Sequence, residues 1–173
     1  MKYRPVKLMS TMDEPLLKMG QQVHVSTRNT FVARDHFVAN LDPEAEVLIA
    51  YVQESFNRWF RDKSEEPAAE RSLVWHELQR NAGDQEIIAE LGGPERVETS
   101  LGVVFSLMHQ QQKGQAGPLA NNGWGNNFYV RDVKGELRSV YVHWCDEGWG
   151  VDSAPIVRTT EWPVRDRVFV PVA

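Results

Sequence analysis

The 173-residue chain contains only one cysteine, Cys145, which excludes an internal disulfide. No spacing of cysteine and histidine suits a structural zinc site, and we expect neither a metal nor any other cofactor. A chain of this length needs no such cross-link, because a domain near 150 residues already buries about 68–70% of the surface of its unfolded chain. A lone thiol is typical of a reducing compartment, so we expect a cytoplasmic protein.

Long apolar runs are also absent. No stretch approaches the roughly 18 apolar residues of a membrane-spanning helix, and the basic start Met1-Lys2-Tyr3-Arg4 is not followed by the apolar segment of a secretion signal. We therefore expect no membrane partner. Linkers and low-complexity segments are missing as well, which is typical of a bacterial protein.

Positive charge is scarcer than negative charge. Lys and Arg together number 19 against 24 Asp and Glu, which gives a formal net charge of -5. Affinity for nucleic acid depends on clustered cations that release counterions, so we expect no nucleic-acid partner. The acidic excess lies in residues 42–100, which hold six Lys and Arg against fourteen Asp and Glu. This segment suits either the solvated face of helices or an acidic mimic that acts through the helical middle of the chain.

The sequence lacks the signatures of the common nucleotide-binding and hydrolytic sites. It has no phosphate loop of the type GxxxxGK(S/T), no GxGxxG after a predicted strand and no GxSxG elbow. His76-Glu77 begins like the helix of a zinc protease, but Arg80 stands where the second histidine of HExxH is required. We therefore expect none of these enzyme classes.

The alternation of apolar residues and breakers predicts an α+β fold. In the first 41 residues, apolar runs at 22–25, 30–33 and 36–39 predict an N-terminal β-hairpin with a tight turn at Arg34-Asp35. Residues 42–113 predict a helical middle of about four helices. These helices begin at capping or proline positions, namely Asp42, Pro67, Asp84 and Pro94.

The end of the chain predicts an antiparallel meander of three to four strands. The strands are expected at 127–131, 137–145, 149–156 and 167–172. A three-residue turn, Asp146-Glu147-Gly148, joins the second strand to the third. We expect the helices to pack on one face of this sheet in a single domain of residues 1–173. The alternative is a subdivision into hairpin plus helices, 1–116, and meander, 117–173.

The apolar faces of these predicted elements are expected to share one core. Gly102 lies within the fourth predicted helix, where it favours the close approach of another element. The expected core residues are Phe56, Trp59, Val104, Phe105, Val142 and Trp144.

Three residue types with catalytic chemistry lie together in His143-Trp144-Cys145-Asp146. A thiol nucleophile needs a close base, but the Cβ atoms of residues two apart on a strand are separated by roughly 7 Å. We therefore expect Cys145 to be a small apolar residue of the hairpin. The three-residue turn places Asp152 on the opposite face from His143. A hydrolase or transferase that uses His143 with Asp146 or Asp152 is the alternative function, with His143, Cys145 and Asp152 as its catalytic candidates.

The segment from His143-Trp144 to Trp149-Gly150-Val151-Asp152 loosely resembles the His strand and Asp strand of the papain-like and transglutaminase-like core. The resemblance covers about ten residues. It implies a cysteine at a helix N-terminus that faces the histidine and the aspartate. The cysteine of this chain lies inside the His strand instead, so the resemblance assigns no family.

The segment from Ala120 to Asn127 holds four asparagines and two glycines around one tryptophan. Amide side chains donate and accept hydrogen bonds, and an indole is a flat platform for a sugar ring or a proline. We expect a non-catalytic binding protein that takes a partner protein or a small ligand on this loop and on the turn ends of the meander. The predicted binding residues are Asn121, Asn122, Trp124, Asn126, Trp149 and Trp162.

Overall fold

A computed structural model describes residues 14–157 and 160–173, in which strands and short helices alternate along the chain. The strands are β1 (Leu17–Val25), β2 (Phe31–Val32), β3 (Ile49–Val52), β4 (Ser64–Glu65), β5 (Arg71–Leu78), β6 (Glu98–Thr99), β7 (Asn126–Arg131), β8 (Leu137–Cys145), β9 (Gly148–Pro155) and β10 (Arg167–Pro171). The helices are α1 (Ala33–His36), α2 (Glu54–Phe60), α3 (Asp84–Glu90), α4 (Pro94–Val97) and α5 (Leu101–Gln110). The prediction of an α+β fold is confirmed.

One large, mostly antiparallel sheet contains eight of these strands. Its order is β1-β5-β10-β7-β8-β9-β3, and β6 pairs with β7 beside this path. Parallel pairing occurs between β10 and β7, between β6 and β7, and between β3 and β9. Strands from both halves of the chain are therefore combined in the same sheet. The remaining two strands, β2 and β4, form a separate antiparallel pair.

Strands β7, β8 and β9 are antiparallel neighbours in chain order. The last strand, β10, does not extend this meander at its β9 edge. It lies between β5 and β7, antiparallel to the first and parallel to the second. The β9 edge is instead paired with β3.

The expected N-terminal hairpin does not form. Strand β1 pairs with β5, so that Val23 lies opposite Leu73, and Arg34-Asp35 belongs to helix α1 rather than to a turn. The local strand pattern was correct for 22–25, but its partner is distant in the chain. Phe31 and Phe37, on either side of α1, are buried in the core.

The helical middle is also different from the prediction. Within residues 42–61, strand β3 and the short helix α2 stand in place of the first predicted helix, and residues 71–78 form β5 instead of a second helix. The helix expected at Asp84 is present as α3, whereas the fourth is divided into α4 and α5 by β6. The acidic segment is thus a mixture of strands and short helices and not the helical middle through which the acidic mimic was expected to act.

Apolar residues are buried on both faces of the large sheet, with helices on each side. One cluster joins α2 and α5 to the sheet, and the other joins α3 and α4 to its opposite face. The prediction that the helices pack on a single face is therefore wrong. The first cluster includes, as buried or partly buried members, all six expected core residues: Phe56, Trp59, Val104, Phe105, Val142 and Trp144.

The N-terminus of α5 is capped by a residue from another element. The carboxylate of Glu65 accepts hydrogen bonds from the backbone N–H groups of Leu101 and Gly102, each at 2.9 Å. A Cβ atom at Gly102 would lie 3.2 Å from Cγ2 of Thr27, which agrees with the close approach expected there. In residues 14–157 and 160–173, no helix is long and apolar enough to cross a membrane.

Candidate functional site

The loop between α5 and β7 exposes part of its asparagine-rich segment and buries the rest. Asn121 and Asn122 are exposed at the tip, whereas Asn126 and Asn127 are fully buried where the loop enters β7. Gly123 has a φ of 92°, a left-handed conformation that glycine adopts without strain. The loop therefore has an exposed tip on a rigid base.

Asn126 holds that base together and does not face solvent. Its Oδ1 accepts a hydrogen bond from the backbone N–H of Ala120 at 2.7 Å, and its Nδ2 donates to the carbonyls of Ala120 and Val142 at 3.0 and 3.2 Å. All its hydrogen-bonding groups are thus engaged within the fold. This placement removes Asn126 from the set of residues that a ligand can reach.

The tryptophans expected to flank Trp124 have different positions. Trp149 is fully buried in the α2 and α5 cluster, and its Nε1 donates to the carbonyl of Gln111 at 2.9 Å. It is a core residue and not part of a surface. Trp162 is 5% exposed on the other face of the sheet, where its Nε1 donates to Oδ1 of Asp84 at 2.6 Å.

Trp124 and Trp162 line a common pocket of about 390 Å³, which we call the Trp124 pocket. Trp124 is half-buried, the guanidinium of Arg165 lies 6.0 Å from its ring centroid, and Tyr141 packs edge-on against Trp162. Asp166 closes the wall beneath the loop by accepting the N–H of Gly125 at 2.8 Å. The lining residues are Gly123, Trp124, Gly125, Tyr141, His143, Glu161, Trp162, Pro163 and Asp166.

His143 joins this pocket to a cluster of polar side chains on β3, β8 and β9. Its Nε2 lies 2.9 Å from the hydroxyl of Tyr51, in a hydrogen bond whose direction depends on the imidazole tautomer. Tyr51 lies opposite Gly150, and a Cβ atom at Gly150 would be 2.5 Å from the tyrosine ring. A glycine at this position therefore allows Tyr51 to lie across β9 and reach the histidine.

The turn between β8 and β9 is shorter than expected, and Asp152 therefore has a different position from the predicted one. Cys145 pairs with Gly148, so the turn has two residues, and Asp146 takes the left-handed conformation with a φ of 42°. This change of one residue brings Asp152 opposite Tyr141, on the same face as His143. The prediction that Asp152 lies on the other face is therefore wrong.

Asp152 and His143 nevertheless have different partners. The carboxylate of Asp152 accepts hydrogen bonds from Ser55 Oγ at 2.7 Å and from the Tyr141 hydroxyl at 2.9 Å. Asp146 is exposed at the turn, and Cys145 directs its thiol to the backbone carbonyl of His143. Among the described hydrogen bonds, none joins His143 to a carboxylate or to the thiol.

Burial controls the protonation of this cluster. Burial lowers the pKa of His143 below its ordinary value of 6.5, although Asp152 and Asp166 act in the opposite direction. Burial, together with the neighbouring Cys145 and Asp152, raises the pKa of Tyr51 to about 12. At neutral pH we therefore expect a neutral imidazole against a protonated phenol, an arrangement suited to hydrogen bonding rather than to ionic attraction.

Sequence reasoning missed Tyr51, Tyr141, Glu161 and Asp166. Tyr141 is two residues from His143 on the same strand, so the alternation of side chains indicates that both lie on one face of the sheet. Tyr51 carried no such signal, because its segment was assigned to a helix. Glu161 and Asp166 reach the pocket from the connection before β10, whose position depends on the pairing of that strand with β5 and β7.

No family model matches the chain, and comparison with curated proteins and with solved structures finds no similar protein. In the part of the chain that the structure describes, no group of three His, Cys, Asp or Glu side chains is placed to hold a metal ion. A functional assignment therefore depends on the geometry of the site itself.

The lowered pKa of His143 predicts how stability depends on pH. Burial lowers the pKa of His76 in the same way, so the unfolded chain binds more protons than the folded one near pH 6. The resulting stability is present above the ordinary pKa of 6.5 and is lost as the pH falls toward the folded values. Urea midpoints should therefore be lower at about pH 5.5 than at about pH 7.5.

His143→Gln is expected to reduce this difference, because glutamine keeps a hydrogen bond to Tyr51 without titrating. His24→Gln, on the exposed side of β1, is the matched control and should keep the wild-type difference. Equal pH dependence in wild type and His143→Gln would contradict a buried neutral His143.

Proposed function

We propose that the protein is a non-catalytic binding protein whose ligand site is the Trp124 pocket. The observation that carries the proposal is the half-buried Trp124, held on an ordered loop base opposite Tyr141 and Trp162. A pocket of about 390 Å³ lies within the range of about 300–1,000 Å³ that is typical of small-molecule sites. Aromatic walls with a few fixed polar groups are the usual composition of such sites.

The lining favours a flat apolar group that carries hydrogen-bonding atoms. Trp124 supplies the platform, and His143 and Glu161 supply polar atoms. Asn121 and Asn122 are exposed on the same loop, where Nδ2 of Asn121 donates to the carbonyl of Gly114 at 2.9 Å. A sugar ring and a proline ring both meet these requirements. The ligand is therefore proposed to be a small carbohydrate or a proline-containing segment of a partner protein.

The alternative function, a hydrolase or transferase, has less support. His143 lines the pocket, but its Nε2 is engaged with Tyr51 and Asp152 is engaged with Ser55 and Tyr141. A catalytic base needs a substrate proton within hydrogen-bonding reach and a partner that orients its ring. Substitution of Cys145 by serine should accordingly leave ligand binding intact.

Trp124→Ala tests the proposal. Ligand-observed NMR with a panel of neutral oligosaccharides and proline-rich peptides should find ligands of the wild type that the variant has lost, because a truncated hot spot costs at least about 2 kcal/mol of affinity. The melting temperature should change little. Val133→Ala, which alters an exposed apolar residue outside the pocket, is the matched control. Unchanged binding by Trp124→Ala, or a panel with no ligand, would contradict the proposed site.

A further inference from the structure

A second pocket, of about 520 Å³, lies on the face of the sheet that carries α3 and α4. We call it the His76 pocket and define it by Met19, Val74, His76, Leu91 and Val170. Strands β1, β5 and β10 form its floor, and the C-terminal end of α3 forms one wall. Met19 is 69% exposed at its mouth, so the apolar surface there is open to solvent.

His76 is the polar exception in this apolar floor. Its side chain is 9% exposed, and its Nδ1 is buried without a hydrogen-bond partner in the described part of the chain. The strand neighbours of His76 are Met19 on β1, whose thioether is only a weak acceptor, and Val168 on β10, whose side chain has no polar atom. A buried polar atom without a partner destabilises the fold, and a ligand group that pairs with the imidazole removes this cost.

We propose that the His76 pocket binds a small, neutral, apolar alcohol whose hydroxyl group pairs with the imidazole of His76. A hydroxyl both donates and accepts a hydrogen bond, so it pairs with either tautomer of the ring. A rotation of the ring by half a turn about its Cβ–Cγ bond exchanges the buried Nδ1 with a ring carbon, and the imidazole lines the pocket in either orientation. The apolar part of the ligand covers Val74, Leu91 and Val170.

The surroundings of the pocket favour a ligand without charge. Glu90 and Glu95 lie at its rim with Arg96, which leaves one more negative than positive side chain. Burial lowers the pKa of His76, so the imidazole offers no positive charge to an anion at neutral pH. A carboxylate with an alkyl chain as long as that of the alcohol would also lose its hydration when it binds against the apolar floor of the pocket. An alcohol is therefore expected to bind more tightly than the matching carboxylate.

The test uses 1-octanol as the probe, titrated into the full-length protein and followed by backbone amide NMR. Saturable shifts are expected at Val74, Leu91 and Val170, with none at Trp124. Octanoate should bind at least about tenfold more weakly. In His76→Leu, the affinity for 1-octanol should fall about tenfold while the melting temperature rises, because a buried group without a partner is replaced by an apolar one.

Two further variants keep the test decisive if His76→Leu fails to fold. Leu91→Glu places a charge in the half-buried wall and should weaken 1-octanol binding at least about tenfold, whereas Val133→Glu, an exposed position outside the pocket, should bind as wild type. Absence of saturable shifts, or wild-type affinity in His76→Leu or Leu91→Glu, would overturn the proposal. These outcomes are independent of Trp124→Ala, because the two pockets share no residue.

Discussion

Trp149→Ala should lower the free energy of unfolding by about 3–5 kcal/mol, the range for emptying a buried aromatic site. Trp149 has no exposed surface, packs edge-on against Trp144 with ring centroids 5.4 Å apart, and donates its Nε1 hydrogen to Gln111. The substitution therefore removes apolar contacts and also one of the two hydrogen bonds that the Gln111 carbonyl accepts, the other of which comes from the Gly114 N–H. In a chain of this size the melting temperature should fall by about 6–20 °C.

Trp149→Phe separates these two contributions. Phenylalanine keeps most of the apolar contact but lacks the N–H group, so its loss of stability should be nearer to the net contribution of one hydrogen bond, about 0.5–1.5 kcal/mol, because the Gln111 carbonyl keeps the N–H of Gly114 as a donor. Trp124→Ala is the matched control, because Trp124 is half-buried on the loop and not in the core. Equal destabilisation by Trp124→Ala and Trp149→Ala would contradict the division of the tryptophans into one core residue and one binding residue.

The different roles of these two tryptophans were not evident in the sequence. Trp149 directly follows the predicted turn, and this position predicts a surface residue at a turn end of the meander. The observed two-residue turn, Asp146-Glu147, starts β9 one residue earlier, at Gly148. A shift of one residue reverses the face of every side chain in a strand, so it determines which residues of β9 share a face with Trp144 and which with His143.

Strand β5 shows why the middle of the chain was misassigned. Val74, Trp75 and Leu78 fit a helical face, and Pro67 is a plausible helix start. In the fold, β5 is paired on both edges, with β1 and β10, and both of its faces are covered. Apolar residues of β5 therefore do not alternate with polar ones, because Leu73 packs in the cluster on one face of the sheet and Val74 packs against the cluster on the other.

Segments with strong local signals were predicted more reliably. The helix at Asp84 and the strands of the meander depend on capping residues and on side-chain alternation, both of which are local. Strand β3 depends instead on parallel pairing with β9, about a hundred residues later, and Tyr51 reaches His143 only through that pairing. Tertiary pairing of this kind overrides a helical pattern and leaves no trace in a short window of sequence.

Glu65→Ala should cost about 3 kcal/mol of stability, since two charge-assisted hydrogen bonds of about 1.5–3 kcal/mol each are lost and partly replaced by water. The carboxylate accepts from two of the N–H groups that have no partner within helix α5, and its negative charge lies at the positive end of the helix dipole. The local cap of the same helix is poor by comparison, because the Ser100 hydroxyl is 3.4 Å from the N–H of Val103. Urea unfolding at neutral pH measures this loss.

Glu65→Gln should have a smaller effect, because an amide has one carbonyl oxygen in place of two charged ones and satisfies only one of the two N–H groups. Glu66→Ala is the matched control, since Glu66 is the adjacent exposed carboxylate, and its change should stay within about 0.5 kcal/mol. Similar losses in Glu65→Ala and Glu66→Ala would indicate a general effect of negative charge on this acidic segment. A loss confined to Glu65 would instead show that β4 determines where α5 begins, 36 residues further along the chain.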